Sequence, residues 1–266
     1  MYTIAEIIVP ETIEEAYEVL TKRKTNTILG GGAYLRMGQK RIGTAIELSK
    51  LNLDYIKDNG NEFEIGAMAT FRDIEVNEEL NSYFNAVIKK SVENIIGVQF
   101  RNIVTVGATV FSKYGFSDFI TALLCLDTDV ELVKGGRMSL KDFLVRPYEK
   151  DFLIRMYIKK KNMSCSFIDF RNSKGDYSVL NIAVSLDENN TWKIVVGARP
   201  RGATIAEEAG EFLSSVEASE ENIDKAAEMV SSELSFGTNM RGSKEYRQAL
   251  SKALTKKAIM EVLSWK

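Results

Sequence analysis

Thr27-Ile28-Leu29-Gly30-Gly31-Gly32-Ala33-Tyr34-Leu35 runs a short apolar strand straight into three glycines. Residues without a Cβ let the backbone visit positive φ and turn its N–H groups toward one point. Such a nest holds anions, phosphates above all, although a triple glycine is also a common plain turn. The dinucleotide fingerprint Gly-x-Gly-x-x-Gly is absent, so a Rossmann reading does not follow. Upstream, Thr12-Ile13-Glu14-Glu15 has capping-box spacing, and Ile13, Ala16, Tyr17 and Leu20 follow at helical intervals. Downstream, Thr44-Ala45-Ile46-Glu47-Leu48 reads as a second strand, which makes a small βαβ-type start.

Further along, Phe63-Glu64-Ile65-Gly66 alternates as a strand does, and Phe84, Val87, Ile88, Val92 and Ile95 predict one amphipathic helix. Asn102 to Val110 is rich in β-branched residues and reads as a strand ending in a small-residue turn. Phe119 to Leu124 reads as a buried helix leading into the strand Asp129 to Val133, with Gly135-Gly136 as the next turn. Asp118 stands at that helix start, where a carboxylate serves either dipole compensation or a ligand contact. From Phe152 the pattern changes to successive strands, Phe152 to Ile158, Cys165 to Phe170, Ser178 to Leu186 and Trp192 to Val196. Helices follow Pro200, one burying Ile223, Ala226, Ala227, Val230 and Leu234, another burying Tyr246, Ala249, Leu250, Ala253 and Leu254. Gly237 to Lys244 imitates a phosphate loop but ends Ser-Lys where Lys-Ser or Lys-Thr is needed, so a helix start capped by Ser243 is expected.

The 266 residues exceed one typical domain, and 45% hydrophobic with 27% charged residues is an ordinary globular balance. Lys+Arg 35 against Asp+Glu 37 leaves a formal charge of -2, with no basic excess for a nucleic-acid backbone. The absence of histidine removes imidazole bases, imidazole metal ligands and Ser-His or Cys-His nucleophile pairs. Cys125 and Cys165 cannot alone fill a four-thiolate metal or iron-sulfur site, and Cys125 sits in an apolar run as a small hydrophobe does. With no secretory signal pattern and no apolar run of spanning length, a cytoplasmic protein with no membrane role is expected.

In order, Gly30-Gly31-Gly32-Ala33-Tyr34-Leu35, Arg101 through Thr109 with Ser117-Asp118, Lys174-Gly175-Asp176-Tyr177-Ser178, and Arg241-Gly242-Ser243-Lys244-Glu245-Tyr246-Arg247 resemble the FAD-binding (medium) subunit of molybdenum hydroxylases, the family of xanthine dehydrogenase and carbon monoxide dehydrogenase medium subunits. The resemblance spans nearly the whole chain. It implies an α+β protein: a two-lobed FAD-binding fold of the PCMH/vanillyl-alcohol-oxidase-like type over 1–150, with lobes of about 1–52 and 53–150, then a C-terminal α+β domain over 151–266.

The resemblance also implies a non-covalent FAD whose pyrophosphate meets the backbone of Ile28, Leu29, Gly30, Gly31, Gly32, Ala33, Tyr34 and Leu35, with Thr105, Gly107, Ala108 and Thr109 as the opposing wall. Asp118 would hydrogen-bond a polar part of the cofactor and Leu153 would pack near its ring system. Departures from the family pattern are Ala33 for a threonine, Ala108 for a second glycine, Thr109 for asparagine or serine, and Ile168 where lysine is common. No residue of this chain is expected to be catalytic or to bind metal. Electrons would come from a [2Fe-2S] subunit and leave to NAD or another acceptor, while a separate large subunit carries the molybdopterin. Trimers of subunits, repeated twice, are the implied assembly. A self-contained FAD reductase of the same fold and a flavin-free assembly subunit are the alternatives.

Overall fold

The computed structural model describes residues 2–265. Its strands are β1 (Thr3–Ile8), β2 (Thr27–Leu29), β3 (Arg41–Glu47), β4 (Ile56–Asp58), β5 (Glu62–Gly66), β6 (Thr128–Leu132), β7 (Gly136–Ser139), β8 (Leu153–Lys159), β9 (Met163–Arg171), β10 (Ser178–Asp187), β11 (Trp192–Gly197) and β12 (Thr204–Ile205). Two units form, each from three stretches of chain. The first holds residues up to Ile74, Gly97–Ser112 and Thr128–Lys159; the second holds Glu75–Ile96, Lys113–Asp127 and Lys160 onward.

In the first unit β1, β3 and β2 make a parallel sheet in that order, the geometry expected of a βαβ start. The helix Ile13–Lys22 begins as its sequence dictates, with Thr12 Oγ1 accepting from the Glu15 N–H at 3.1 Å and Glu15 Oε2 from the Glu11 N–H at 2.8 Å. Its Ala16 and Leu20 meet Ile46, Leu48, Leu53, Phe152 and Ile154 in a buried cluster. A five-stranded sheet in the order β4-β5-β8-β6-β7 completes the unit. Alternation puts Phe63 and Ile65 of β5 inside and leaves Glu62 and Glu64 on a polar face. There Glu64 accepts from Tyr55 Oη, on the residue before β4, and from Arg155 Nη1 of β8, each diagonal to it across the sheet. The strand expected to open the C-terminal half is β8, and it lies at the centre of this sheet between β5 and β6.

Two expectations for the stretch from Phe84 to Val110 are corrected. Asn102 to Val110 is not a strand: Val98–Arg101 and Val106–Ser112 are helices. The Val106 and Gly107 N–H groups bond Ala69 O and Ala67 O at 2.9 and 2.8 Å, and Val104, Val106 and Val110 go to the core. Burial, not strand pairing, is what the β-branched residues serve. The single helix expected over Phe84 to Ile95 is broken as well. Phe84, Asn85 and Ala86 take φ of 55°, 53° and 57°, and the helix runs only over Val87–Val92. Asn85 Oδ1 accepts the Cys165 N–H at 2.8 Å, a tertiary bond that periodicity cannot register.

In the second unit β12, β11, β10 and β9 form an antiparallel sheet. Nine consecutive residues of β10 are buried because both faces are covered. Leu180, Ile182, Val184 and Leu186 pack into the cluster with the helices Glu207–Ser215, Glu220–Glu233 and Lys244–Ser264. Asn181 and Ser185 face the helix Asp118–Cys125, bonding Thr121 Oγ1 at 2.8 Å and Cys125 O at 2.9 Å. Strands followed by helices are thus found as expected. The face of the last helix differs: Arg247, Ser251, Leu254, Thr255, Ala258, Ile259 and Val262 are buried, while Tyr246 is 44% exposed. Backbone carbonyls draw Arg247 inward, and the helix turns with it.

Candidate functional site

The strand β2 delivers its last residue to the glycine loop. Ile28 and Leu29 pair with Ile46 and Glu47 of β3, so the end of β2 is anchored on the parallel sheet. Gly31 and Gly32 then take φ of 65° and 70°, values that favour glycine. A Cβ on Gly31 would lie 1.5 Å from Ile103 O, so the loop is seated directly on the backbone of the 103–108 segment. A Cβ on Gly30 would come within 2.9 Å of Ala108 Cβ and 3.0 Å of Thr105 Oγ1. The first eleven of the expected contacts outside β8, from Ile28 to Leu35 and at Thr105, Gly107 and Ala108, therefore gather in one part of the first unit, with Thr109 one residue further along the same helix.

The donors of this cradle are backbone. Gly32 N–H closes on Gly30 O at 2.8 Å, whereas among the described residues the Gly31 and Ala33 N–H groups make no hydrogen bond. Tyr34 sets its ring edge-on to Phe100, and Leu35 opens the turn Leu35–Met37. On the wall, Gly107 is required for close approach: a Cβ there would meet Ala67 Cβ at 2.6 Å. Its N–H is spent on Ala67 O, the Thr109 hydroxyl on Thr105 O at 3.0 Å, and the Ala108 N–H on Thr105 Oγ1 at 3.4 Å. The wall supplies shape and the loop supplies open donors, a combination that fits an extended dianionic group such as the FAD pyrophosphate. Leu153 is buried in β8, across from Leu132.

Asp118 lies in the second unit and is 4% exposed. Ser117 caps the helix, its Oγ accepting the Ile120 N–H at 3.2 Å, and the Asp118 side chain turns inward instead of to solvent. One carboxylate oxygen accepts from Ser178 Oγ at 2.7 Å and from Asn181 Nδ2; the other accepts from Arg171 Nη2. Burial pushes this carboxyl above its ordinary range, with Arg171 and the two neutral bonds pulling the other way. Burial also works against the Arg171 charge, but Asp118 and Asp169 more than offset it and hold the guanidinium above its usual value. Arg171, Asn181 and the Ile103 carbonyl were not singled out from sequence. No local pattern marks them, since the partners that give them a place here, Asp118 for Arg171 and Asn181 and Gly31 for Ile103, lie more than 50 residues away. Burial pushes the Cys125 thiol up to about 11, consistent with a packing role. Among the described residues no group of three Cys, Asp or Glu could hold a metal ion, and no helix is long and apolar enough to cross a membrane.

Residues 3–159 match the family described as FAD binding domain in molybdopterin dehydrogenase, and residues 166–262 match the CO dehydrogenase flavoprotein C-terminal domain. The chain is 25% identical to the nicotine 6-hydroxylase medium subunit of Paenarthrobacter nicotinovorans, over 95% of each chain. It is 24% identical to the glyceraldehyde dehydrogenase medium chain of Sulfolobus acidocaldarius, over 95% of this chain and 96% of that one. Among solved structures it shares its fold with quinoline 2-oxidoreductase from Pseudomonas putida 86, with a TM-score of 0.88 at 20% identity over 98% and 96% of the two chains. A glycine loop with open donors, a glycine-dependent wall and a C-terminal α+β half thus coincide with matches along almost the whole length, and the chain belongs to the family of FAD-binding domains of molybdopterin dehydrogenases, the medium-subunit flavoproteins of molybdenum hydroxylases.

Proposed function

We propose that this chain is the FAD-binding, electron-transferring medium subunit of a molybdopterin-dependent hydroxylase or dehydrogenase, an oxidoreductase whose [2Fe-2S] and molybdopterin centres reside on partner subunits. The observation that carries the reading is the loop Gly30-Gly31-Gly32-Ala33, held at positive φ on Ile103 O with the Gly31 and Ala33 N–H groups open. Those donors bind and orient the pyrophosphate without any cationic side chain, because clustered N–H dipoles suit a dianion. Thr105, Gly107, Ala108 and Thr109 limit how far the group can sink, and Leu29 and Leu35 offer aliphatic contact beside it. Asp118 is assigned as an acceptor for a polar part of the cofactor, and Leu153 as an apolar neighbour of its ring system. When bound, FAD supplies electron transfer between the [2Fe-2S] subunit and NAD or another acceptor. The absence of histidine is consistent with this division, since the chain itself moves no proton in the substrate reaction.

The test is a visible absorption spectrum of the purified full chain after incubation with FAD and removal of the excess by gel filtration. A retained flavin spectrum in the native chain, lost in Gly31→Ala, is the expected result. No retained flavin in a folded native chain, alone or after mixing with its partner subunits, would refute the reading and favour the flavin-free assembly subunit. Bleaching by NADH would identify NAD as the acceptor.

A further inference from the structure

In the second unit the buried carboxylate of Asp118 is held by a chain of bonds that reaches back to the C-terminal helix. Arg171 spends its guanidinium on three acceptors: Nη2 on Asp118, Nε on Asp169, and Nη1 on Asp176 O at 2.6 Å. Its side chain is 10% exposed, so no water competes freely for these bonds. Asp176 is fixed in turn, its Oδ1 accepting from Arg241 Nε and Nη2 at 3.0 and 2.8 Å and from the Tyr177 N–H at 2.8 Å. Arg241 stands in a tight turn closed by reciprocal Asn239 and Gly242 backbone bonds of 3.1 and 3.2 Å. Arg247, wholly buried, clamps that turn through Gly237 O at 2.8 Å, Asn239 Oδ1 at 2.7 Å and Gly242 O.

We propose that Arg171, steadied by Arg241 through Asp176, is a positioning residue that keeps the Asp118 carboxylate ionised and fixed in direction, so that it acts only as a hydrogen-bond acceptor. The value of this for the cofactor rests on the assignment of Asp118 as a cofactor contact under the proposed function. The chemistry is binary: an ionised carboxylate only accepts, whereas a protonated one donates. A buried carboxylate deprived of its cation takes up a proton, and the Asp169 charge nearby adds to that pressure. The charged groups facing Asp118 are Arg171 and Asp169, while Ser178 and Asn181 contribute neutral donors. Loss of Arg171 therefore changes the chemical role of Asp118, and loss of Ser178 does not.

The first measurement needs no cofactor. Infrared spectra of the full chain at neutral pH are expected to gain the carbonyl stretch of a protonated carboxyl in Arg171→Gln, and to lose it again in Arg171→Gln with Asp118→Asn. Arg171→Lys, which keeps the charge, and Ser178→Ala are expected to show no such band. The second is FAD titration: Arg171→Gln and Asp118→Asn each weaken binding about tenfold, the double variant no further, and Arg241→Gln about threefold. A folded Arg171→Gln chain without the protonated band overturns the inference. So does native FAD affinity in Arg171→Gln where Asp118→Asn has lost it. If Asp118→Asn binds FAD as the native chain does, the assignment of Asp118 fails while the infrared result still decides what Arg171 holds. A native chain that binds no FAD at all refutes the proposed function, and the infrared arm again stands apart.

Discussion

The glycine loop of the first unit and the Asp118 network of the second solve opposite problems with opposite materials. In the loop, the proposed cradle depends on what is missing: no Cβ at Gly31, where one would sit 1.5 Å from Ile103 O, and, among the described residues, no acceptor for the Gly31 and Ala33 N–H groups. In the network charges are compensated by partners of this chain, with Asp118, Arg171, Asp176 and Arg241 linked in sequence and Arg247 closing the last turn. An open cradle leaves donors for a ligand at small cost because backbone dipoles are already aligned by the turn. A buried carboxylate has no such freedom, and must be compensated by groups brought from distant parts of the chain. Open donors therefore mark a place for something to arrive, and compensated charges mark a geometry fixed in advance.

The comparison is broken most severely at Gly31. Gly31→Ala imposes a left-handed alanine and a backbone clash, an expected cost of about 4 kcal/mol concentrated in the loop. Loss of FAD retention on gel filtration, with the second unit's melting transition unmoved, is the expected outcome. Retention at native affinity would show that the loop is not the cradle. Next comes the saturated region. Arg247→Met leaves the carbonyls of Val179 and Gly237 without their donor and strips Gly242 O of its second bond, and about 3 kcal/mol of stability in urea unfolding should go with them. An unchanged midpoint would mean that the turn carries itself.

Ala33→Thr sharpens the contrast from the other side, since it adds a hydroxyl beside open N–H groups without touching the fold. A gain of about 1 kcal/mol in FAD affinity by titration is expected, and a loss would place the hydroxyl against the cofactor. The smallest effect lies on the polar face of the five-stranded sheet. Burial and the Glu64 carboxylate raise the Tyr55 phenol to about 12. The neutral phenol is thus favoured in the folded chain; its contribution is complete below the ordinary phenol value of about 10 and is lost as pH rises through the folded value. Tyr55→Phe should flatten the fall of the denaturation midpoint across that window, and an equally steep fall would shift responsibility to Tyr157, which burial and Glu131 also raise.

The loop was legible in the sequence because its chemistry is local. Glycines announce themselves at consecutive positions, and Thr12, Ser117 and Ser243 cap helices within three residues of the groups they bond. The segment from Asn102 to Val110 misled for the same reason turned round. β-branched composition speaks for a strand, but Ala67 and Ala69 supply acceptors that set Val106–Ser112 as a helix against them. The last helix misled likewise, because a pattern of apolar residues cannot show that an arginine will be the largest fully buried side chain on it.

What the sequence determined by itself was the class of the protein: an α+β chain without histidine chemistry, with a glycine nest after its second strand and four ordered motifs of one flavoprotein family. Period, capping and glycine act over a few residues, so they survive in a linear reading. The tertiary structure alone decided that Gly31 rests on Ile103, that Gly107 abuts Ala67, and that Asp118 is held by Arg171. These contacts join residues 40 to 72 positions apart in sequence, and the energy of each depends on burial that exists only once the chain has closed around it.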